Sequence, residues 1–217
     1  MHVSGRHVAE GTRRLRAGAV LVVGLGAVGS AAAMHLGAAG LGRLTLWDPG
    51  IVTATDIRRA GQPRARAAAA PLRAALPETR IEVLDGESDV VGALPEHHLL
   101  LASSGPWTEL GAAALRYGTA VLFCGAQGAV GALTMVRPGG PCLQCLGAPG
   151  AAAVGLVPGE GGAAAAVVGA LAAAEAVKFI LGEGAPLVGR VLRYDSWQAR
   201  FEEEPFERVP GCPGCAG

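Results

Sequence analysis

The sequence predicts an α/β fold with a Rossmann-like, doubly wound and mostly parallel sheet, closed by a C-terminal antiparallel extension. Two observations carry this. A buried apolar run, Ala19-Val20-Leu21-Val22-Val23, passes through a glycine-rich turn into a small-residue helix and then into a second strand. Far downstream, Arg190 to Tyr194 and Gln198 to Val209 read as a closing hairpin.

The elements follow in order. Residues 19–23 do not alternate between apolar and polar, as expected of a strand buried on both faces of a parallel sheet. Gly24 ends that strand. A helix is expected from Val28 to about Ala39, stopped by Gly40 and Gly42, and Arg43 to Trp47 forms the next strand, ending at Asp48. Pro63 to Leu76 is a third segment of helical length, with Pro71 as an expected kink. Short strands at Ile81 to Leu84 and His98 to Ala102, a helix from Trp107 to Tyr117 and strands at Ala120 to Cys124 and Ala132 to Arg137 complete the first part. A Pro/Gly-rich loop from Pro138 to Gly162 is long enough to be functional. Ala163 to Leu181 is the strongest helical pattern, terminated by Gly182 and Gly184.

Composition narrows the function. Hydrophobic residues make up 51% of 217 residues but aromatics only 4%, so a core must be packed from small side chains. Lys+Arg and Asp+Glu both number 18, with no long block of one sign, which argues against a nucleic-acid partner. Arg13, Arg14 and Arg16 precede an apolar stretch and imitate a signal peptide, but the ordered glycines in that stretch argue for a turn and helix, not for export. In the second apolar stretch, Glu175 and Lys178 sit one turn apart, a pairing costly in lipid. The expectation is a cytoplasmic protein.

Gly24-Leu25-Gly26-Ala27-Val28-Gly29 lies between a strand and a helix, the context that gives a GxGxxG motif meaning. Gly24 permits the turn, Gly26 lets phosphates approach the backbone and Gly29 lets helix and strand pack closely. Asp48, 19 residues after Gly29, is placed to take a ribose hydroxyl. The motif leaves NAD, FAD and ATP open, and glycines serving only packing are the bland alternative. Cys142-Leu143-Gln144-Cys145 and Cys212-Pro213-Gly214-Cys215 have the spacing of a four-cysteine zinc site, structural because four thiolates leave no open position. A thioredoxin-like redox pair explains one CxxC, not two. Cys124 reads as an inert buried thiol, His97 and His98 as turn or surface residues, and His35 as core or partly exposed.

Gly24 to Ser30, Asp48, the two CxxC pairs, the helix ending Glu175-Ala176-Val177-Lys178-Phe179, Arg193-Tyr194-Asp195 and Pro210 to Cys215 together resemble the ThiF/MoeB/HesA family, relatives of ubiquitin-activating enzymes. The resemblance covers nearly the whole chain. It implies one domain over 1–217, with a nucleotide-binding half (1–137) and a zinc-containing, partner-binding half (138–217). It further implies ATP and magnesium, a homodimer, and adenylation of the C-terminal carboxylate of a ubiquitin-like sulfur carrier or a peptide. By the same resemblance Gly24, Gly26, Gly29 and Asp48 hold the nucleotide, while Arg59, Arg64 and Arg6 meet its phosphates, Arg6 from the partner subunit.

The chain departs from the family pattern at defined places. Asp56 stands for an asparagine, Ala60 for a glutamine and Arg64 for a lysine. The loop Leu101 to Pro106 lacks the metal-binding aspartate, and no carboxylate lies between Glu96 and Glu109, so Asp56 is the nearest replacement ligand for magnesium. Leu146 to Gly211 contains no cysteine, so activation is expected to stop at the acyl-adenylate. The competing reading is a catalytically degenerate scaffold or partner-binding subunit of a biosynthetic complex. A nicotinamide or flavin oxidoreductase has only the glycine loop in its favour.

Overall fold

The computed structural model describes residues 5–53, 60–147 and 162–215. Its elements are α1 (Gly5–Ala17), β1 (Ala19–Val23), α2 (Ala27–Ala38), β2 (Arg43–Trp47), α3 (Arg64–Ala75), β3 (Arg80–Val83), α4 (Glu87–Ala93), β4 (Leu99–Ala102), α5 (Trp107–Arg116), β5 (Ala120–Gln127), β6 (Val130–Val136), α6 (Ala163–Leu181), β7 (Arg190–Asp195) and β8 (Arg200–Pro205).

The strands form one sheet in the order β3-β2-β1-β4-β5-β6-β7-β8. The first five pair parallel and the last three antiparallel, with β1 in register with β2 from Ala19 opposite Arg43 and with β4 from Val20 opposite Leu99. Strand order reverses between β1 and β4, which opens a crevice beyond their C-terminal ends. The expected mostly parallel sheet with an antiparallel extension is therefore observed.

Alternate residues of the strands feed two cores. Val20, Val22, Leu44, Leu46, Leu99 and Leu101 face α2, α3 and α6, whereas Leu21, Val23, Leu100 and Ala102 pack with Trp107, Leu110 and Val90 from α5 and α4. Strands covered on both faces must be apolar throughout, and β1 and β4 are buried at every position. Helix α6 buries Ala164, Ala165, Gly169, Ala172, Ala173 and Ala176, so the small residues that dominate the composition are what let it lie close to α2. It is also the described helix long and apolar enough to cross a membrane by composition. Glu175 is nonetheless paired with Lys178 and accepts the Leu187 N–H at 2.9 Å, so its buried carboxylate serves a connection within the fold.

Several expectations need correction. The basic run Arg13, Arg14 and Arg16 belongs to α1, an element the sequence pattern does not announce, and Arg14 Nη1 donates to the Leu181 carbonyl at 2.6 Å, capping the end of α6. Helix α4 is likewise additional to the expected elements. Helix α3 runs through Pro71 as one element, the proline lying on its exposed side. Strand β5 continues past Cys124 to Gln127 and turns directly into β6. His35 is exposed. His97 is buried, not at the surface: Nδ1 lies 2.7 Å from the Ala93 carbonyl and Nε2 2.7 Å from Thr45 Oγ1. Most of the loop expected from Pro138 to Gly162, residues 148–161, lies outside the described residues.

Candidate nucleotide site and four-cysteine centre

At the end of β1 the chain turns through Gly24, whose φ of +92° is left-handed, and its N–H donates to the Trp47 carbonyl at 2.9 Å. A Cβ on Gly29 would overlap the Gly24 carbonyl oxygen, so the helix comes this close to the strand only because residue 29 is glycine. Ser103 Oγ, just after β4, donates to the same carbonyl at 2.9 Å. Above Gly26 a Cβ would meet nothing within 4 Å, which is the open space a phosphate needs. Gly26 caps α2 without a side chain, leaving the first N–H groups of that helix for an anion.

Asp48 organises the mouth of this loop. Its Oδ2 accepts the Leu25 N–H at 2.6 Å and its Oδ1 the Gly50 N–H at 2.7 Å, so the carboxylate joins the end of β2 to the glycine turn. Arg64 Nη1 stands 3.5 Å from the same Oδ1, and the Arg64 N–H donates to the Gly50 carbonyl at 2.9 Å. The structure thus brings Gly24, Gly26, Gly29, Asp48 and Arg64 together. Asp56 and Arg59 lie outside the described residues, and Arg6 is in α1 with its side chain outside them.

Among the described residues this mouth offers a magnesium ion a poor donor set: Ser103 and Ser104 after β4, and Asp48, whose oxygens are engaged by two main-chain N–H groups with Arg64 beside one of them.

The second centre lies at the other end of the chain. Cys142 Sγ is 3.9 Å from Cys145 Sγ and 3.7 Å from Cys212 Sγ, and Cys145 Sγ is 3.4 Å from Cys215 Sγ. All four sulfurs lie within 4.8 Å of one another. Metal–sulfur bonds of about 2.3 Å in a tetrahedron need sulfurs roughly 3.8 Å apart, so the residues fit zinc. Each pair is folded by a single 3-10 turn, Leu143–Leu146 and Pro213–Cys215, closed by Cys145 N–H to the Cys142 carbonyl and Cys215 N–H to the Cys212 carbonyl. Burial works to raise the Cys145 thiol, but N–H donors from Val209 and Cys142 outweigh it and bring it down to about 7. A metal here ties the C-terminal segment to the segment after β6. Cys124 is different: full burial pushes its thiol up to about 12, as expected of an inert group.

The fold and the glycine turn define an α/β protein with a glycine-rich turn and an uncapped helix N-terminus at its topological switch point. The chain belongs to the ThiF family, whose model matches residues 5–100 and 108–214. Among its relatives are the SAMP-activating enzyme E1 of Haloferax volcanii, 33% identical over 95% of this chain and 83% of that one, and the molybdopterin-synthase adenylyltransferase of Escherichia coli, 30% identical over 95% and 90%. The sulfur carrier protein adenylyltransferase of Thermus thermophilus is 33% identical over 95% and 85%. Of solved structures, E. coli MccB with ATP superposes with a TM-score of 0.79 at 17% identity, covering 96% of this chain and 69% of that one. The microcin C7 biosynthetic enzyme MccB with N-formylated MccA gives 0.82 at 18%, covering 96% and 70%; this likeness is one of fold.

Ser103 joins the site without a sequence signal: it follows β4, nothing local to Leu-Ala-Ser-Ser-Gly marks it, and only the pairing of β4 with β1 brings it beside the glycine turn.

Proposed function

We propose that this chain activates the C-terminal carboxylate of a ubiquitin-like sulfur carrier or a peptide by adenylation. The observation that carries the reading is the open seat above Gly26, bounded by the α2 N-terminus and by Arg64 held on Asp48. The carboxylate oxygen attacks the α-phosphorus of ATP, an acyl–phosphate bond forms as the bond to pyrophosphate breaks, and cations stabilise the charge that accumulates. In this scheme Gly24, Gly26 and Gly29 seat the phosphates and Arg64 faces them. Arg59 and, from a partner subunit of a homodimer, Arg6 add positive charge, and Asp48 fixes the loop and borders the ribose. Relatives named as adenylyltransferases of sulfur carriers support the class of reaction. With no cysteine from Leu146 to Gly211, the product is released as acyl-adenylate to a separate acceptor. Zinc is structural, holding the half from residue 138 onward, and unpaired thiols suit a reducing, cytoplasmic setting.

One observation favours a second reading, a scaffold without turnover: the loop after β4 has no carboxylate for magnesium. Calorimetric titration of ATP with and without magnesium on zinc-loaded protein separates the two. The adenylation reading expects ATP to bind; no binding in either condition refutes it in favour of the scaffold.

A further inference from the structure

The four cysteines are not equivalent. Cys142 and Cys212 are buried, at 5% and 6% exposure, whereas Cys145 and Cys215 are partly exposed. The two outer sulfurs stand 3.4 Å apart, closer than Cys142 is to Cys145 within one CxxC pair, at 3.9 Å, or to Cys212 across the two pairs, at 3.7 Å. A cleft of about 300 Å³, lined by Arg208 to Cys212 and by Cys215, gives a small solute a way to the outer edge of the centre. A disulfide needs its sulfurs about 2.0 Å apart, so the outer pair has less distance to close than the first CxxC pair and is the one that solvent meets.

Contacts other than the metal keep these two residues in place. The Val209 N–H donates to Cys145 Sγ at 3.5 Å, and Arg208 Nη2 donates to the Cys215 carbonyl at 2.8 Å. The same short segment therefore touches both outer cysteines, and each CxxC is folded by its own 3-10 turn. Outer sulfurs held in this way stay neighbours while their bonds to an ion are lost.

We propose that Cys145 and Cys215 form a peroxide-sensitive switch: oxidation joins them as a disulfide between the two CxxC turns, expels zinc, and replaces a metal staple by a covalent one between the same two segments. With hydrogen peroxide as oxidant, the Cys215 thiolate attacks one peroxide oxygen, an S–O bond forms as the O–O bond breaks, and hydroxide leaves. The Cys145 thiolate attacks that sulfur, an S–S bond forms as the S–O bond breaks, and a second hydroxide leaves. Two electrons pass from the sulfur pair to the peroxide. The ion is left with Cys142 and Cys212, two ligands where a closed structural site needs four, and is released. The proposal rests on the four-thiolate zinc site and is independent of the adenylation reading.

The test uses the full zinc-loaded chain, titrated with hydrogen peroxide. Released zinc is read with a coloured chelating indicator, and disulfides are mapped by mass spectrometry after the remaining thiols are blocked. Melting of the oxidised chain is compared with that of reduced chain stripped of zinc by a chelator. The first disulfide should join Cys145 to Cys215, with about one zinc released for each one formed. The oxidised, zinc-free chain should melt about 5 °C or more above the stripped chain, because a cross-link between residues 70 apart in sequence restricts the unfolded chain. Dithiothreitol and zinc together should restore the starting state. A first disulfide within either CxxC pair, sulfur oxidised without any disulfide, zinc retained under excess peroxide, or an oxidised chain no more stable than the stripped one overturns the proposal, as does a chain that takes up no zinc.

Discussion

Asp48 and Leu25 are joined by a 2.6 Å hydrogen bond from the Leu25 N–H to Oδ2, so the acid at the end of β2 fixes the glycine turn at the end of β1. With the Gly24 N–H bonded to the Trp47 carbonyl, this bond ties the turn after β1 to the end of β2. Asp48→Ala removes it and the Gly50 bond together and leaves the Arg64 guanidinium without this carboxylate. Thermal and urea unfolding should show a loss of about 2–4 kcal/mol, from two orphaned N–H groups. ATP affinity should fall with it; full stability would mean the acid does not organise the loop.

Arg64→Ala should weaken ATP by about ten- to a hundredfold through loss of a charge-assisted contact, and should also lower stability somewhat, since this side chain is only about a quarter exposed and sits beside buried Asp48. Arg64→Lys should recover only part, because a single ammonium cannot span Asp48 and a phosphate as a planar fork does. Calorimetric titration of both variants checks this. Equal ATP affinity in all three proteins would remove Arg64 from the site.

Cys212→Ser should lower metal content and thermal stability together, because binding energy at a four-thiolate site is folding energy. A chelator added to the unaltered chain should do the same, and zinc should restore it. Metal analysis alongside melting is the check; a metal-free protein of unchanged stability would contradict the assignment.

His97 predicts an acid-sensitive fold. Burial, chiefly, and then nearby Arg43 hold its pKa below the usual value, against the Ala93 carbonyl, Glu96 and Glu82, which favour the charged ring. The unfolded ring therefore takes up a proton before the folded one. This contribution to stability is complete above about pH 6.5, declines as pH falls below that, and levels off once the folded ring is protonated. Melting of wild type and His97→Gln between about pH 7.5 and 5 should show a shallower slope in the variant; parallel curves would refute it.

What is legible in the sequence has a physical reason. Residues 19–48 carry a buried strand, a turn that only glycine tolerates at +92°, and a second strand ending in an acid, all within one βαβ unit, so local pattern and tertiary role coincide. Two CxxC pairs are readable because each is its own turn. Helix α1 is strongly amphipathic, but the arginines before an apolar stretch draw the signal-peptide comparison instead, and Leu15 is its one buried side chain among those described. Helix α4 is seven residues, too short for a periodic signal. His97 reads as a surface residue because its partner Thr45 is 52 residues away.

The central claim is tested most directly by ATP–pyrophosphate exchange on the zinc-loaded chain, with a ubiquitin-like sulfur carrier ending in Gly-Gly as acceptor of the adenylate. The account predicts exchange that requires the carrier's free C-terminal carboxylate and falls by orders of magnitude in Arg59→Ala and Arg64→Ala. Absence of exchange in protein that binds both ATP and carrier would contradict it.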